Sequence, residues 1–176
     1  MDKMRYLDYI ARYNAGDHRG LVQNFYTNDI GLVVFGYTVA HGMAEMLEWL
    51  ETIHLSVGET IVSEEVEFDE FGLEIWSRAL EVLACHHDFD LFGGRMMRAG
   101  EIHLVPVFIH YLTHGDRIGR VLIEEGRGVR QVLRPAVPSH RLEQRRGQVV
   151  NGSRSERPRI APAEPVLGRD FGARHS

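Results

Sequence analysis

Histidine and tyrosine side chains near the ends of predicted strands are the residues in this sequence best suited to acid–base chemistry. Tyr37 and His41 end one predicted strand, His87 follows the end of another, and His110 lies within a third. Histidine exchanges protons near neutral pH, and a tyrosine hydroxyl can donate a proton to a leaving oxygen. We therefore assign His87 or His110 as the candidate base and Tyr37 or His41 as the candidate acid.

Each histidine also has a structural interpretation. His110 shares a predicted strand face with apolar residues such as Phe108, which favours a position in a cavity but is also typical of a hydrogen-bonded core histidine. His87 precedes Asp88, which could orient its ring, although a histidine in a loop can equally be exposed to solvent. The sequence leaves these alternatives open.

Arg78 is the candidate for handling negative charge. Trp76 and Leu80 flank it on its own strand face, and a guanidinium among apolar neighbours needs a partner. The partner is either a phenolate or developing oxyanion of a substrate, or a carboxylate in a structural ion pair. Trp76, Phe108 and Tyr26 offer aromatic surface for substrate binding, although Tyr26 also suits core packing.

Sequence motifs for metals, cofactors and nucleophilic catalysis are absent. Adjacent histidines such as His86 and His87 face opposite ways on an extended chain, and no Cys pair or His-Glu helix motif supports zinc. Gly93-Gly94 lacks the Lys or Ser of a phosphate-binding loop, and Cys85 lies in a predicted strand that suits packing. We expect no metal and no cofactor.

The elements that position these residues begin as helices and continue as strands. Helical spacing covers residues 4–13, 17–26 and 43–53, with a strand at 30–39 between the last two. From residue 59 the period becomes two, which predicts strands at 60–68, 73–86, 101–113 and 117–125 and a long loop at 87–100. Pro106 predicts an edge position or a bulge for its strand. This order is typical of an α+β fold with helices packed on one face of a curved antiparallel sheet.

Three segments resemble SnoaL-like proteins of the nuclear-transport-factor-2-like superfamily. They are Tyr13-Asn14-Ala15-Gly16-Asp17 with the helix to Phe25-Tyr26-Thr27-Asn28-Asp29, the His41-Gly42 step into a helix, and Thr113-His114-Gly115-Asp116-Arg117-Ile118. The resemblance covers roughly residues 4–126. It implies a cone-shaped α+β barrel, in which a long curved sheet wraps the helices and leaves an apolar cavity of ligand size.

The resemblance leaves the function open. The superfamily includes ketosteroid isomerases, polyketide cyclases, scytalone dehydratase, epoxide hydrolases, diarylpropane lyases that release formaldehyde, and non-catalytic binding modules. A candidate set rich in His, Tyr and Arg and poor in carboxylates favours a cofactor-independent lyase for a small, hydrophobic, aromatic, oxygenated molecule. The reaction would be dehydration, or retro-aldol release of a fragment such as formaldehyde from a lignin-type diaryl compound.

Two alternatives accompany the lyase. A ketosteroid-isomerase-like or polyketide-cyclase enzyme needs a buried carboxylate with a raised pKa. Asp17 and Asp29 suit cap and turn positions instead, and Glu124 and Glu125 are the candidate carboxylates on the last strand. The other alternative is a non-catalytic module that binds a small ligand or forms a dimer.

Charge divides the chain into two parts. Residues 1–126, the predicted SnoaL-like cavity domain, hold 9 Lys or Arg and 21 Asp or Glu. Residues 127–176 hold 11 Arg and 4 acidic residues, and we predict a basic, Pro/Arg-rich C-terminal arm that is extended, either disordered or laid on an acidic body.

Composition limits the partners and the compartment. The acidic body argues against nucleic acid, and no apolar run approaches the ~20 residues of a membrane helix. The absence of a signal-peptide pattern and the single cysteine favour the cytoplasm. Apolar side chains on an open sheet face predict a homodimer or homotrimer.

Overall fold

The computed structural model describes residues 1–91 and 95–134. Its helices are α1 (Lys3–Asn14), α2 (His18–Phe25) and α3 (Gly42–Ser56). Its strands are β1 (Tyr26–Val34), β2 (Tyr37–His41), β3 (Val57–Phe68), β4 (Glu74–Cys85), β5 (Phe89–Leu91), β6 (Arg95–Met97), β7 (Ile102–His114), β8 (Arg117–Glu125) and β9 (Gln131–Leu133). Most of the predicted C-terminal arm lies outside the described residues, so the boundary at residue 126 stays a prediction.

Helices α1 and α2 begin where the sequence supplies capping side chains. The Asp2 carboxylate accepts from the Arg5 backbone N–H at 2.8 Å, and the Asp17 carboxylate accepts from Gly20 N–H at 3.0 Å, as predicted for Asp17. One face of α1 buries Tyr6, Tyr9 and Tyr13 against the sheet. These rings lie one turn apart along α1 because their spacing follows the helical repeat.

The main sheet confirms the α+β fold class but is mixed rather than wholly antiparallel. Its strand order is β2-β1-β8-β7-β4-β3, with β9 added beside β7. The β1–β8 pair is parallel, and the other neighbouring pairs of this sheet are antiparallel. The described strands do not close into a barrel, because β2 and β3 remain at the two ends of the order.

Two predicted segments, at 30–39 and 87–100, differ from the structure. The single strand predicted at 30–39 is a hairpin, in which Phe35 (φ 51°) and Gly36 (φ 86°) form the turn between β1 and β2. Positive φ at both turn positions matches the twist of a tight hairpin. Phenylalanine is not typical of such a turn, so the sequence does not indicate one at this position. The loop predicted at 87–100 contains the short antiparallel pair β5–β6.

Pro106 was predicted to lie at an edge or in a bulge, and that prediction was wrong, because β7 is an interior strand and its register with β4 is uninterrupted at Pro106. It lies in β7, between β4 and the β8–β9 side, opposite Leu80. The Pro106 carbonyl accepts from Gly126 N–H at 2.8 Å, where β8 has ended and β9 has not begun. A strand residue directs its nitrogen to the same side as its carbonyl, so the missing N–H falls in this gap and breaks no ladder.

The two faces of the sheet differ sharply in burial. On β4 the inner face carries residues that are at most 6% exposed: Ile75, Ser77, Ala79, Glu81 and Leu83. The outer face of the same strand carries Trp76, 42% exposed, and Arg78. On β7 the alternation continues through Pro106, so His103 and Tyr111 face the helices and His110 faces outward.

Candidate active site

A cavity of about 50 Å³ lies between the helices and the inner face of the sheet. Most of its wall is apolar, from residues such as Leu50, Leu83 and Ile109. Its polar groups are two carboxyl side chains and a group of tyrosines: Glu59, Glu81, Tyr9, Tyr13, Tyr26 and Tyr111. A mostly apolar pocket with a few convergent polar groups is the usual form of a small-molecule site.

The two carboxyl groups come from neighbouring strands. Glu59 on β3 pairs in register with Leu83 on β4, and Ile61 pairs with Glu81. Glu59 and Glu81 are therefore diagonal neighbours on one face, within reach of each other's side chains. The Glu59 side chain is 9% exposed and Glu81 is 6% exposed.

Burial raises the pKa of both carboxyl groups. The pKa of Glu81 lies well above its usual range, first because the group is desolvated and second because the negative charge of Glu59 is close. Burial also raises the pKa of Glu59, although nearby His54 and a hydrogen bond with Tyr13 act in the opposite direction. The environment thus favours a shared proton over two buried negative charges.

Tyrosine hydroxyls from α1 and β1 surround the pair. Tyr13 lines the cavity with Glu59, and burial followed by the charges of Glu59 and Glu81 places the pKa of Tyr13 well above its ordinary value. The hydroxyls of Tyr9 and Tyr26 are 3.1 Å apart. Burial raises the pKa of Tyr26 to about 12, so these hydroxyls remain proton donors at neutral pH.

His54 on α3 lies next to Glu59. Nδ1 of His54 donates to the Leu50 carbonyl at 2.7 Å, and Nε2 lies 3.7 Å from the Glu59 carboxylate. His54 does not line the cavity itself. It can therefore influence a bound molecule only through Glu59 or the packing around it.

This arrangement is suited to proton transfer. One carboxylate can act as a general base while a neighbouring carboxylic acid or tyrosine donates to an oxygen. The candidate set was expected to be poor in carboxylates, and the structure corrects that expectation. Glu59 and Glu81 were missed because they are isolated acidic residues in strands, and the inner face was not identified.

Among the sequence-predicted residues, Tyr26 lines this cavity. Four others meet in an open groove of about 620 Å³ on the outer face of the sheet: Trp76, Arg78, Phe108 and His110. The expectation that they point into the cavity was wrong. The sequence correctly separated the two faces of each strand, but these residues lie on the outer face and not on the face that packs against the helices. Their catalytic and binding roles stay predictions.

Arg78 and His110 have carboxylate partners on the outer face. Arg78 forms ion pairs with Glu65 at 2.9 Å and Glu64 at 3.5 Å, and its side chain is 52% exposed. The Nε2 atom of His110 lies 2.9 Å from a Glu74 carboxylate oxygen, and its ring stacks on Trp76 with centroids 5.3 Å apart. These contacts match the structural ion-pair alternative for Arg78.

The other three predicted residues are exposed and separate from both concavities. Tyr37 is 57% exposed on β2, and His87 is exposed after β4. His41 occupies the position before the first turn of α3 without a capping side-chain hydrogen bond, and its backbone N–H donates to the Glu45 carboxylate at 2.8 Å. The structure does not bring these residues together with His110.

Other candidate carboxylates lie away from the cavity. Asp17 caps α2, as predicted, and Glu124 lines the outer groove. Glu125 pairs with Val107 at the end of β8. Within residues 1–91 and 95–134, no group of three or more His, Cys, Asp or Glu side chains is arranged to hold a metal ion.

Within the described residues, no helix combines the length and the apolar composition needed to cross a bilayer.

No protein-family model and no curated protein matches this chain. Solved structures do match it. A provisional polyketide cyclase from Xanthomonas campestris pv. campestris gives a TM-score of 0.60 at 16% identity, over 69% of this chain and 87% of that one. A provisional polyketide cyclase from Pseudomonas putida gives 0.60 at 18% identity, over 70% and 90%.

A third similar structure is an epoxide hydrolase/cyclase-like enzyme of pyran ring formation in the polyether salinomycin. It gives a TM-score of 0.58 at 16% identity, over 74% of this chain and 95% of that one. Likeness at such low identity establishes architecture and not activity. The chain therefore has the nuclear-transport-factor-2-like α+β fold, whereas its placement in the SnoaL-like family stays a prediction.

Proposed function

We propose that this protein is a cofactor-independent acid–base enzyme that moves a proton on a small, largely apolar molecule bearing a carbonyl or a similar oxygen. Isomerisation or cyclisation of the ketosteroid-isomerase or polyketide-cyclase kind is the reaction class we favour. The observation that carries this proposal is the pair Glu59 and Glu81, buried side by side in an apolar cavity with raised pKa values. This is the buried carboxylate that the alternative function required.

The pair divides two roles between chemically identical groups. A carboxylate removes a proton from carbon next to the substrate carbonyl, while a carboxylic acid donates a hydrogen bond or proton to the carbonyl oxygen as charge develops there. Tyr13 is the second donor, because its hydroxyl already lies beside Glu59 and keeps its proton at neutral pH. The apolar wall excludes water, which strengthens both interactions.

The size of the cavity limits the substrate. A volume of about 50 Å³ holds a few water molecules, since one water needs roughly 10–15 Å³ on this scale. A larger substrate must displace side chains of the wall. The side chains of Phe35, Trp49 and Phe89 are candidates for this displacement, because these three lining residues are only partly buried.

The experiment is a deuterium-exchange assay without added metal or cofactor. A panel of cyclic ketones and phenolic diaryl compounds is incubated in heavy water, and incorporation at carbon is followed by mass spectrometry. We expect Glu81→Gln and Glu59→Gln each to slow exchange at least about 100-fold, the usual contribution of a general acid or base. Glu67→Gln, an acidic residue of the outer groove, is the matched control and keeps the wild-type rate. Wild-type rates in both cavity variants would overturn the proposal.

The second candidate is the lyase, acting by dehydration or formaldehyde release on a lignin-type diaryl compound. The outer groove supports it, since that groove collects Arg78 as a charge clamp, His110 as a base, and aromatic surface from Trp76 and Phe108. The same panel separates the candidates when water loss and formaldehyde are also measured. Product that disappears in Arg78→Ala but persists in Glu81→Gln would favour this lyase. Saturable binding without turnover would instead favour a ligand-binding module.

A further inference from the structure

Within the described residues, one ring nitrogen of His54 is hydrogen-bonded and the other is not. Its Nδ1 atom donates to the Leu50 carbonyl, which can only accept, so neutral His54 carries its proton on Nδ1. The Nε2 atom then presents a lone pair toward Glu59 at 3.7 Å. This atom is buried and has no hydrogen-bond partner among the described residues, although the side chain as a whole is 15% exposed.

Three ionisable groups face His54 from the elements packed around it. Glu59 comes from β3, the Tyr13 ring from α1 meets it edge-on at 5.9 Å, and the His18 ring from α2 stacks on it at 4.5 Å. Two stacked imidazoles do not both carry positive charge easily. Burial, and then the proximity of His54, lower the pKa of His18.

Glu81 differs from Glu59 in this respect. His54 acts to lower the pKa of Glu59. The pKa of Glu81 is shifted by burial and by the charge of Glu59, and both of these favour the protonated form of Glu81. The two carboxyl groups are therefore not equivalent, because Nε2 of His54 lies 3.7 Å from the Glu59 carboxylate.

We propose that His54 is a positioning residue that accepts the Glu59 proton, leaving Glu59 as the carboxylate base and Glu81 as the carboxylic acid. The proton passes from the Glu59 carboxyl oxygen to Nε2 of His54, so Glu59 gains one negative charge and His54 one positive charge. The net charge of the site does not change, and Glu81 keeps its own proton. A small side-chain rotation closes the gap to the roughly 2.7–2.9 Å of a charge-assisted hydrogen bond. This inference rests on the acid–base role proposed for the Glu59–Glu81 pair.

The test is an NMR titration of the glutamate side-chain carboxyl carbons in the full chain, with Glu59→Gln and Glu81→Gln used to assign the signals. In the wild type we expect Glu59 to ionise at lower pH than Glu81. His54→Asn keeps a donor near the Leu50 carbonyl but removes the group facing Glu59. We expect it to raise the Glu59 midpoint by about one pH unit, a tenfold change in proton affinity.

A matched control and a second variant keep the test decisive. His18→Asn removes the stacked ring without touching Glu59, and we expect it to leave the Glu59 midpoint unchanged or to lower it. His54→Gln replaces His54→Asn if the latter fails to fold. An unchanged Glu59 midpoint in a folded His54 variant would overturn this inference.

The titration also separates this inference from the proposed function. It reports proton affinities without any substrate, so it can succeed even if the exchange assay shows that Glu59 and Glu81 are not catalytic. Conversely, if exchange depends on both carboxyl groups but the midpoint does not respond to His54, only the role of His54 fails.

Discussion

Glu81 lies two residues along β4 from Leu83, the direct register partner of Glu59, so the two carboxyl side chains are diagonal neighbours on the inner face of the sheet. Both are nearly inaccessible to water, and burial is the first cause of the raised pKa of each. Proteins rarely bury carboxylates without compensation, because the desolvation cost is several kcal/mol per ion. Here the desolvation cost is reduced because the Glu59–Glu81 pair keeps a proton. The pair should therefore affect both the pH dependence of stability and the proposed proton transfer.

Stability of the wild type should decrease as pH rises above the ordinary glutamate pKa. A raised pKa in the folded state means that Glu81 contributes stability below its unfolded pKa of about 4.3, and that this contribution is lost as pH rises through the folded value. Glu81→Gln cannot ionise, so we expect it to lose less stability over this range. At about pH 9 it should exceed the wild type by on the order of 1–3 kcal/mol in free energy of unfolding.

Urea unfolding from about pH 5 to pH 9 measures this difference. Glu67→Gln, on the exposed outer face, is the control and should follow the wild-type profile. Parallel wild-type and Glu81→Gln profiles would show that Glu81 is not a buried, protonated group.

The cavity tyrosines should resist ionisation while the protein stays folded. Burial is the first cause of the raised pKa of Tyr9, Tyr13, Tyr26 and Tyr111, and the chain contains six tyrosines. At about pH 11 we therefore expect at most two to have ionised in the native state, whereas all ionise near pH 10 when unfolded. Ultraviolet absorbance measures tyrosinate, and circular dichroism shows whether the fold persists.

The same shifts have a consequence at high pH. Because these pKa values are raised by folding, their contribution to stability is lost as pH rises from about 10 through the folded values. Tyr26→Phe also removes the hydroxyl contact with Tyr9, and we expect a loss of about 1 kcal/mol at neutral pH. More than two ionised tyrosines in a folded protein would contradict the buried cluster.

Arg78 should contribute little to folding. Its ion pairs with Glu64 and Glu65 are about half exposed, and exposed pairs usually contribute no more than about 1 kcal/mol. Arg78→Ala should therefore change the free energy of unfolding by less than about 1 kcal/mol and keep the exchange activity of the cavity. A loss of activity with unchanged stability would instead favour the outer groove as the site.

The predicted homo-oligomer has a candidate surface. Trp76 and Phe108 are each 42% exposed and lie beside charged residues of both signs on the outer face, and we propose that a second copy of the chain covers this face. Trp76→Glu should then lower the mass measured by light scattering toward that of a single chain. Tyr37→Glu, at another exposed aromatic position, is the control. An unchanged oligomer in Trp76→Glu would place the interface elsewhere.

The sequence was sufficient to predict the fold class and most elements, because these depend on local periodicity. The helix around Tyr6 and Tyr9, the Asp17 cap and the long strand through Trp76 follow from spacing that the chain displays directly. The Phe35–Gly36 turn could not be predicted in this way. Phenylalanine at positive φ is unusual, and the turn lies within a run of apolar residues that is typical of a continuous strand.

The candidate site was harder to predict because periodicity separates two faces without saying which one is buried. Trp76 and Arg78 looked like a cavity face, yet the helices pack on the face with small Ser77 and Ala79. Small side chains leave room for an enclosed space, so a lone acidic residue such as Glu81 among them was the usable signal. Glu59 becomes evident only when the register brings it next to β4.

Infrared spectroscopy of the full chain at neutral pH tests the central claim most directly, because a protonated carboxylic acid has its own carbonyl stretching band. We predict such a band in the wild type, shifted when glutamate is labelled with carbon-13, lost in Glu81→Gln and retained in Glu67→Gln. A neutral-pH spectrum with no protonated carboxyl band, or a band that persists in Glu81→Gln, would contradict the account of a proton held at Glu81.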